Sequence, residues 1–430
     1  MASTWDPELL RQVGEALGVE CQAEDVAVLL GPGLNIKRTP LCGRNFEYFS
    51  EDPYLSGQLA AALVEGVQAS GVGACPKHFA ANNQETNRLT VSVEADERTL
   101  REIYLPAFEA VVRQARPWTV MCSYNKINGV YASQNHWLLT EVLRDEWGFD
   151  GLAMSDWGAV DNRAWAVAAG LDLEMPSSGG HATGVILEAV RAGTLSEADV
   201  DRAAGRVLRL ARRAQDARAG LTRFDAEAHH ALALRAAQAS AVLLKNEGVL
   251  PVDPKAGRLA VIGELARTPR YQGAGSSLVN PTRLSDALSA LRALAPDLAF
   301  APGYTLDGDA PDPALAAEAV EAARQASTVL LFLGLPAACE SEGFDRDHMD
   351  LPAAQNALVE AVLDVNPNVA VVLSNGSALT LPWADRVPAV LEGWLLGQAG
   401  GQALADLLTG AASPSGKLAE TIPLGYLDTP

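Results

Sequence analysis

Apolar residues along this chain recur in a strand-then-helix rhythm. Over 6–24 they return at three- and four-residue spacing, which predicts an amphipathic helix. The apolar run 26–30 then stops at Gly31-Pro32-Gly33, a strand followed by a loop. The rhythm continues with a helix over 54–70, a strand over 73–79, a helix over 95–114 and a strand over 119–124. A helix over 138–147, strands over 151–155 and 171–175, and helices over 182–192 and 196–215 complete the series. Residues 213–235, rich in Arg, Ala and Asp, read as a connector with some helical character. A second series has strands over 241–244, 259–262, 329–333, 369–373 and 390–395, with helices over 283–294, 314–326, 353–365 and 401–409. Strands alternating with helices imply parallel βα units. In the first series polar clusters follow the strand runs, the layout of a (β/α) barrel with its site at the C-terminal strand ends. The second series predicts an open sheet with helices on both faces.

At 430 residues there is material for two or three domains. The formal net charge of −20 argues against nucleic acid or an anionic membrane as a partner, since either would be repelled. Cys21, Cys42, Cys75, Cys122 and Cys339 are widely spaced, with no CxxC pair, so they offer neither a metal site nor a disulfide framework and read as free thiols. No run approaches 18 apolar residues, and the N-terminus is not a signal peptide. A cytoplasmic location is the resulting expectation; the sequence leaves oligomeric state open.

The strongest chemical candidate lies in Gly151-Leu152-Ala153-Met154-Ser155-Asp156-Trp157-Gly158, an apolar run ending in a carboxylate, an indole and a glycine. Asp156 either caps the next helix or is a catalytic carboxylate aimed at a carbohydrate beside Trp157. Retaining hydrolysis of a glycosidic bond needs a second carboxyl about 5–5.5 Å away. The polar loop Glu340-Ser341-Glu342-Gly343-Phe344-Asp345-Arg346, just after a buried run, offers one, and it reads equally as a solvated acidic loop. Arg44-Asn45-Phe46-Glu47, Lys77-His78-Phe79 and Tyr124-Asn125 supply charged, amide and aromatic groups near strand ends, with Arg88 in the loop after Lys77-His78. Such groups bind sugar hydroxyls and cover apolar sugar faces.

These stretches resemble glycoside hydrolase family 3, in its β-glucosidase-type branch. The matching text is GRNFEYFSEDP (43–53), KHFAANNQETNR (77–88), CSYNKING (122–129), LRDEWGFDGLAMSDWGAV (143–160), AGLDLEMP (169–176), ESEGFDR (340–346) and SGKLAETIP (415–423), in the family's order along nearly the whole chain. The resemblance implies that Asp156 is the nucleophile and Glu342 the acid/base, with Glu340 the neighbouring rival for the second role. It implies that Arg44, Lys77, His78, Arg88 and Tyr124 hold the terminal glycosyl unit and that Trp157 lies against its ring. No metal or organic cofactor is implied. The substrate would be an oligosaccharide or an aryl or alkyl β-glycoside.

The family's barrel begins before the Trp5-Asp6-Pro7 helix that opens this chain, and its Asp-Gly-Pro motif, whose Asp holds sugar hydroxyls, is absent here. The expectation is therefore a chain shortened at both ends. Its fold would be α/β: a partial (β/α)8 TIM-like barrel over 1–212, a linker over 213–235 and an α/β sandwich domain with a mostly parallel sheet over 236–430. The expected activity is that of an exo-acting retaining β-glycosidase, with β-glucosidase the best match. The alternatives are β-xylosidase or α-L-arabinosidase specificity, and a shortened, impaired member that only binds sugar.

Overall fold

The computed structural model of this chain describes residues 1–429. They divide into two compact units, one comprising 6–37 and 48–225, the other 1–5, 38–47 and the described residues from 226 onward. The first is called the barrel unit below and the second the sandwich unit.

The barrel unit opens with α1 (Pro7–Ala23), which starts at a proline and is capped by Asp6, whose carboxylate accepts the Leu9 N–H at 3.0 Å. β1 (Val28–Leu29) and, after α2 (Pro53–Ala69), β2 (Gly73–Ala74) pair in parallel. β3 (Ser92–Val93) lies outside this wall. The single helix expected over 95–114 is three pieces: α3 (Glu97–Thr99), a π-helical turn Leu100–Tyr104, and α4 (Pro106–Ala115). Pro106 has no N–H to continue the earlier ladder, so it opens a new helix. β4 (Thr119–Cys122) returns to the wall. β5 (Lys126–Ile127) and β6 (Val130–Tyr131) join β3 in a small three-stranded sheet. A π-helical stretch, Trp137–Glu146, leads to β7 (Leu152–Ser155), which runs parallel to β4. Met121 N–H to Pro76 O (3.0 Å) and Phe79 N–H to Met121 O (2.8 Å) tie the β2 segment to β4. The strand expected over 171–175 is reduced to one bridge, Leu173 with Met154.

The result is a parallel wall of five segments, a partial barrel that backbone pairing does not close among the described residues. α5 (Arg163–Ala169), α6 (His181–Arg191) and α7 (Glu197–Asp216) follow it. Cys75, Met121, Leu152 and Met154 form one apolar cluster, and Val207 and Leu210 of α7 pack on it. Side chains alternate along a strand, so the row Leu152, Met154 points on to Asp156.

The sandwich unit contains α8 (Ala226–Ser240), which occupies half of the expected connector because Ala, Leu, Arg and Gln there favour helix. Its strands are β8 (Val242–Asn246), β9 (Leu259–Ile262), β10 (Ala299–Ala301), β11 (Thr328–Gly334), β12 (Val369–Ser374) and β13 (Ala389–Glu392). Between or after them lie α9 (Ala287–Leu294), α10 (Pro313–Gln325), α11 (Ala353–Leu363) and α12 (Gly400–Thr409). The sheet order is β10-β9-β11-β12-β13-β8, parallel except for β8 against β13. Every residue of β9 is buried, as is every residue of β13, and only Thr328 and Ser374 escape full burial in β11 and β12. That matches continuous apolar runs covered on both faces. The chain leaves β9 for β10 on one side and then returns to β11 on the other. Such a reversal opens a crevice at the carboxyl ends of the strands. The loops beginning at Gly263 and Leu335 start there.

Candidate active site

In the barrel unit Asp156 follows the last residue of β7 and is 8% exposed. Its Oδ1 accepts the Trp157 N–H at 2.7 Å, and its Oδ2 lies 3.3 Å from His78 Nε2. His78 is 1% exposed and held by its backbone: Asn35 accepts the His78 N–H at 2.9 Å and donates to the His78 carbonyl at 2.9 Å. On the other side of the imidazole, Nδ1 lies 3.3 Å from the Tyr48 hydroxyl, which accepts from Asn82 Nδ2 at 3.1 Å. The Asn82 amide also reaches Glu85 at 3.4 Å, and Glu85 is ion-paired to Arg88 at 2.6 Å. The Arg88 guanidinium sits 4.7 Å from the centre of the Tyr124 ring.

Five of the expected residues are thereby joined into a single contact chain, running from Trp157 and Asp156 through His78 and on to Arg88 and Tyr124. Trp157 is 46% exposed, leaving its indole free of the core. Lys77 lies at the same strand end, with its N–H on Pro32 O and its carbonyl accepting from Leu34. Tyr48, Asn82 and Glu85 complete the chain and were not singled out by sequence reasoning. All three lie inside the motifs at 43–53 and 77–88, which was the available signal.

Two buried groups bear on this chemistry. Burial, and after it the charge of Asp156, pushes the Cys122 thiol up to about 12. It stays protonated at neutral pH and is no competing nucleophile. Asp172, in the motif at 169–176, accepts from Ala153 N–H (2.9 Å), Arg144 (2.8 Å) and Arg206 (3.0 Å). It ties β7 to the 137–146 stretch and to α7, and so buttresses the strand that ends at Asp156.

The other two expected residues, Arg44 and Glu342, belong to the sandwich unit. Glu342 Oε2 accepts the Ser276 N–H at 2.7 Å, and Oε1 lies 3.9 Å from Arg44 Nη1. Arg44 is 1% exposed and also pairs with Glu47 at 2.7 Å. The 38–47 segment is stitched to the Glu342 loop: Arg346 N–H donates to Leu41 O at 2.8 Å, and Gly43 N–H donates to Asp345 at 3.1 Å. Glu340 is wholly buried. Its carboxylate takes Arg270 (2.5 Å), Gly376 N–H (2.9 Å) and the Ser377 hydroxyl (2.6 Å). Among the described residues no group of three or more His, Cys, Asp or Glu side chains is arranged to hold a metal ion, and no helix is long and apolar enough to cross a membrane.

Sequence comparison matches residues 1–210 to the glycosyl hydrolase family 3 N-terminal domain and residues 241–429 to the family's C-terminal domain. An exo-α-(1→6)-L-arabinopyranosidase of Bifidobacterium longum is 55% identical over all of this chain and 58% of its own length. A thermostable β-glucosidase B of Acetivibrio thermocellus is 54% identical over all of this chain and 57% of its own length. The chain thus spans somewhat over half the length of these curated relatives. The crystal structure of a Bifidobacterium adolescentis family 3 β-glucosidase superposes with a TM-score of 0.95 at 55% identity, over 99% of this chain and 63% of that one.

Proposed function

Because the chain belongs to glycosyl hydrolase family 3, we propose that it carries the catalytic apparatus of an exo-acting retaining β-glycosidase, with Asp156 as nucleophile and Glu342 as acid/base. In this reading the barrel part, 1–212, supplies the nucleophile and most of the sugar contacts. The sandwich part, 236–430, supplies the acid/base. Asp156 attacks the anomeric carbon while Glu342 protonates the departing glycosidic oxygen. Glu342 then takes a proton from water as that water displaces Asp156. Lys77, His78, Arg88, Tyr124 and Arg44 hold the terminal sugar, and Trp157 lies along its ring.

The observation that carries the reading is the Asp156 carboxylate at the end of a buried parallel strand. One of its oxygens is held by the Trp157 N–H and the other lies beside His78 Nε2. The Trp157 N–H fixes the direction of the carboxylate, and a proton on His78 Nε2 would answer its other oxygen in the nucleophilic form. The assignment of Glu342 over Glu340 is supported by occupancy. Glu340 has no exposed surface and is committed to three partners within the protein, whereas the Glu342 side chain retains 14% exposure.

The test is trapping with a 2-fluoro glycoside followed by peptide mapping, alongside Asp156→Asn and Glu342→Gln. The label is expected on Asp156; a label on another carboxylate removes the nucleophile assignment. Sugar preference is β-glucoside in the first reading. A second reading, α-L-arabinopyranoside, is favoured by the Bifidobacterium longum relative, as similar to this chain as the β-glucosidase B. Paired kcat/KM values on aryl β-glucoside and aryl α-L-arabinopyranoside separate the two. Sugar binding without turnover of either would mark a chain that only binds.

A further inference from the structure

We propose that the buried Arg270–Glu340 pair is the positioning device that aims Glu342. This rests on reading Glu342 as the acid/base. Burying a carboxylate is costly unless its lone pairs are answered. For Glu340 they are: Oε2 takes Arg270 Nη1 at 2.5 Å and Gly376 N–H at 2.9 Å, and Oε1 takes the Ser377 hydroxyl at 2.6 Å. The same guanidinium donates to the Leu335 carbonyl at 3.0 Å and to the Glu340 carbonyl at 3.2 Å. One side chain therefore grips both ends of the segment that leaves β11 and runs to Glu340.

Arg270 also belongs to the segment that touches Glu342. Six residues further on, Ser276 donates its N–H to the Glu342 carboxylate, and Ala274 accepts the Glu342 N–H at 3.1 Å. The 270–276 segment thus holds the loop at Glu340 and again at Glu342, with only Ser341 between. Glu340 has extended backbone (φ −151°, ψ 112°). Along extended chain, side chains two residues apart share a face only if the backbone stays regular. Gly343, at φ +100°, turns the loop directly after Glu342, and Ser341 and Phe344 form a single bridge across the turn. The direction of the Glu342 side chain is then set by its own bonds to the 270–276 segment together with its two flanking constraints, the anchored Glu340 and the turn. An apolar anchor would bury as well but would not fix rotation, whereas a fork of directed hydrogen bonds does. A proton donor must come within hydrogen-bond reach of the leaving oxygen, and an ångström of displacement is felt in rate.

The experiment compares Glu340→Gln, Ser377→Ala and Glu342→Gln with the unsubstituted chain, on glycosides graded in leaving-group acidity. Misaimed acid catalysis hurts poor leaving groups and spares those that depart unprotonated. For Glu340→Gln, kcat/KM on a phenyl or alkyl glycoside is expected to fall by about a hundredfold, the scale of an ångström-sized misplacement. On a dinitrophenyl glycoside kcat/KM, which reports only the first displacement, is expected to fall by less than about threefold, while kcat and KM fall together because the misaimed Glu342 also slows attack by water. Ser377→Ala keeps the ion pair and loses one hydrogen bond, so it should show the same discrimination in smaller degree, and it reports even if Glu340→Gln does not fold. A loss of kcat/KM equal across all leaving groups, or no loss in a folded variant, overturns the proposal. Glu342→Gln separates the two ideas. If it shows no leaving-group dependence, the acid/base reading fails. If it does and the Glu340 and Ser377 variants do not, the positioning proposal alone fails.

Discussion

His78 Nε2 lies 3.3 Å from Asp156 Oδ2, while the Tyr48 hydroxyl lies 3.3 Å from Nδ1 of the same imidazole. An ionised carboxylate only accepts, so a neutral His78 facing it would carry its proton on Nε2 and accept from Tyr48 at Nδ1. Tyr48 in turn accepts from Asn82. These contacts set the ring plane and the tautomer beside the nucleophile.

Tyr48→Phe removes the donor to Nδ1 and keeps the ring. A neutral hydrogen bond contributes about 1 kcal/mol, so kcat/KM is expected to fall by about fivefold. His78→Gln should cost more, because it also removes the group beside Asp156. Steady-state kinetics on an aryl glycoside checks both. Unchanged kcat/KM in Tyr48→Phe would show that the tautomer is fixed without it.

Gly43 marks the tightest approach between the 38–47 segment and the Glu342 loop. A Cβ there would lie 1.8 Å from the Phe344 carbonyl oxygen and 2.3 Å from that of Ser341. Backbone cannot yield as a flexible side chain does, so Gly43→Ala should displace the loop. Overpacking of this kind costs about 1–3 kcal/mol. Activity should fall further than the melting temperature suggests, because Glu342 and its Arg44 neighbour move with the loop. Gly184, inside α6, would meet nothing within 4 Å, so Gly184→Ala serves as the control. It is expected to stabilise by about 0.5–1 kcal/mol. Melting curves and kcat measured together distinguish the two outcomes.

Much of this arrangement was legible from the residue pattern. The runs at 259–262, 329–333 and 369–373 read as buried strands because they are apolar without interruption, and strands are found there. Asp156 is a candidate because it ends such a run, and Glu342 because its loop follows another; the pattern alone leaves a helix cap and a solvated loop open, and the roles come from the resemblance to the family. What escaped was whatever depends on partners distant in sequence. β10 is three residues long and is held as a strand by pairing with β9. The little sheet of β3, β5 and β6 consists of two-residue strands with no periodicity to read. Glu340 and Glu342 look alike in sequence and differ only in where they point. Tyr48 becomes relevant through a ring 30 residues away in the chain.

Glu392, at the end of β13, is fully buried, and that burial pushes its carboxyl up to about 8 against the opposing hydrogen bonds from Trp394 N–H and Asn375. The folded chain therefore holds this proton more tightly than the unfolded chain, whose ordinary value is 4.5. The associated stability is fully present below pH 4.5 and is lost as the pH rises through about 8. Glu392→Gln cannot ionise and should flatten that dependence. Thermal melts of both proteins from pH 5 to 9 should show the variant gaining on the parent as the pH rises. Parallel curves would assign the pH dependence to other groups.

The thiols give a prediction that reads the barrel unit from inside. Cys75 and Cys122 are fully buried, and burial pushes each up to about 12. Cys42 is buried as well, whereas Cys21 and Cys339 are only partly covered, and burial raises those two thiols also. The thiolate is the reactive form, so a disulfide reagent at pH 8 should modify Cys21 and Cys339 slowly and leave the other three intact. In denaturant all five should react. Asp156 contributes to holding Cys122 protonated, and a glycosyl group trapped on Asp156 would cancel that charge. Burial is the larger cause, so Cys122 is expected to stay silent in the trapped protein too. Mapping the labelled cysteines before and after trapping checks this directly. Rapid labelling of Cys122 in the untrapped chain would mean that the wall beneath Asp156 opens far more often than its packing against α7 implies.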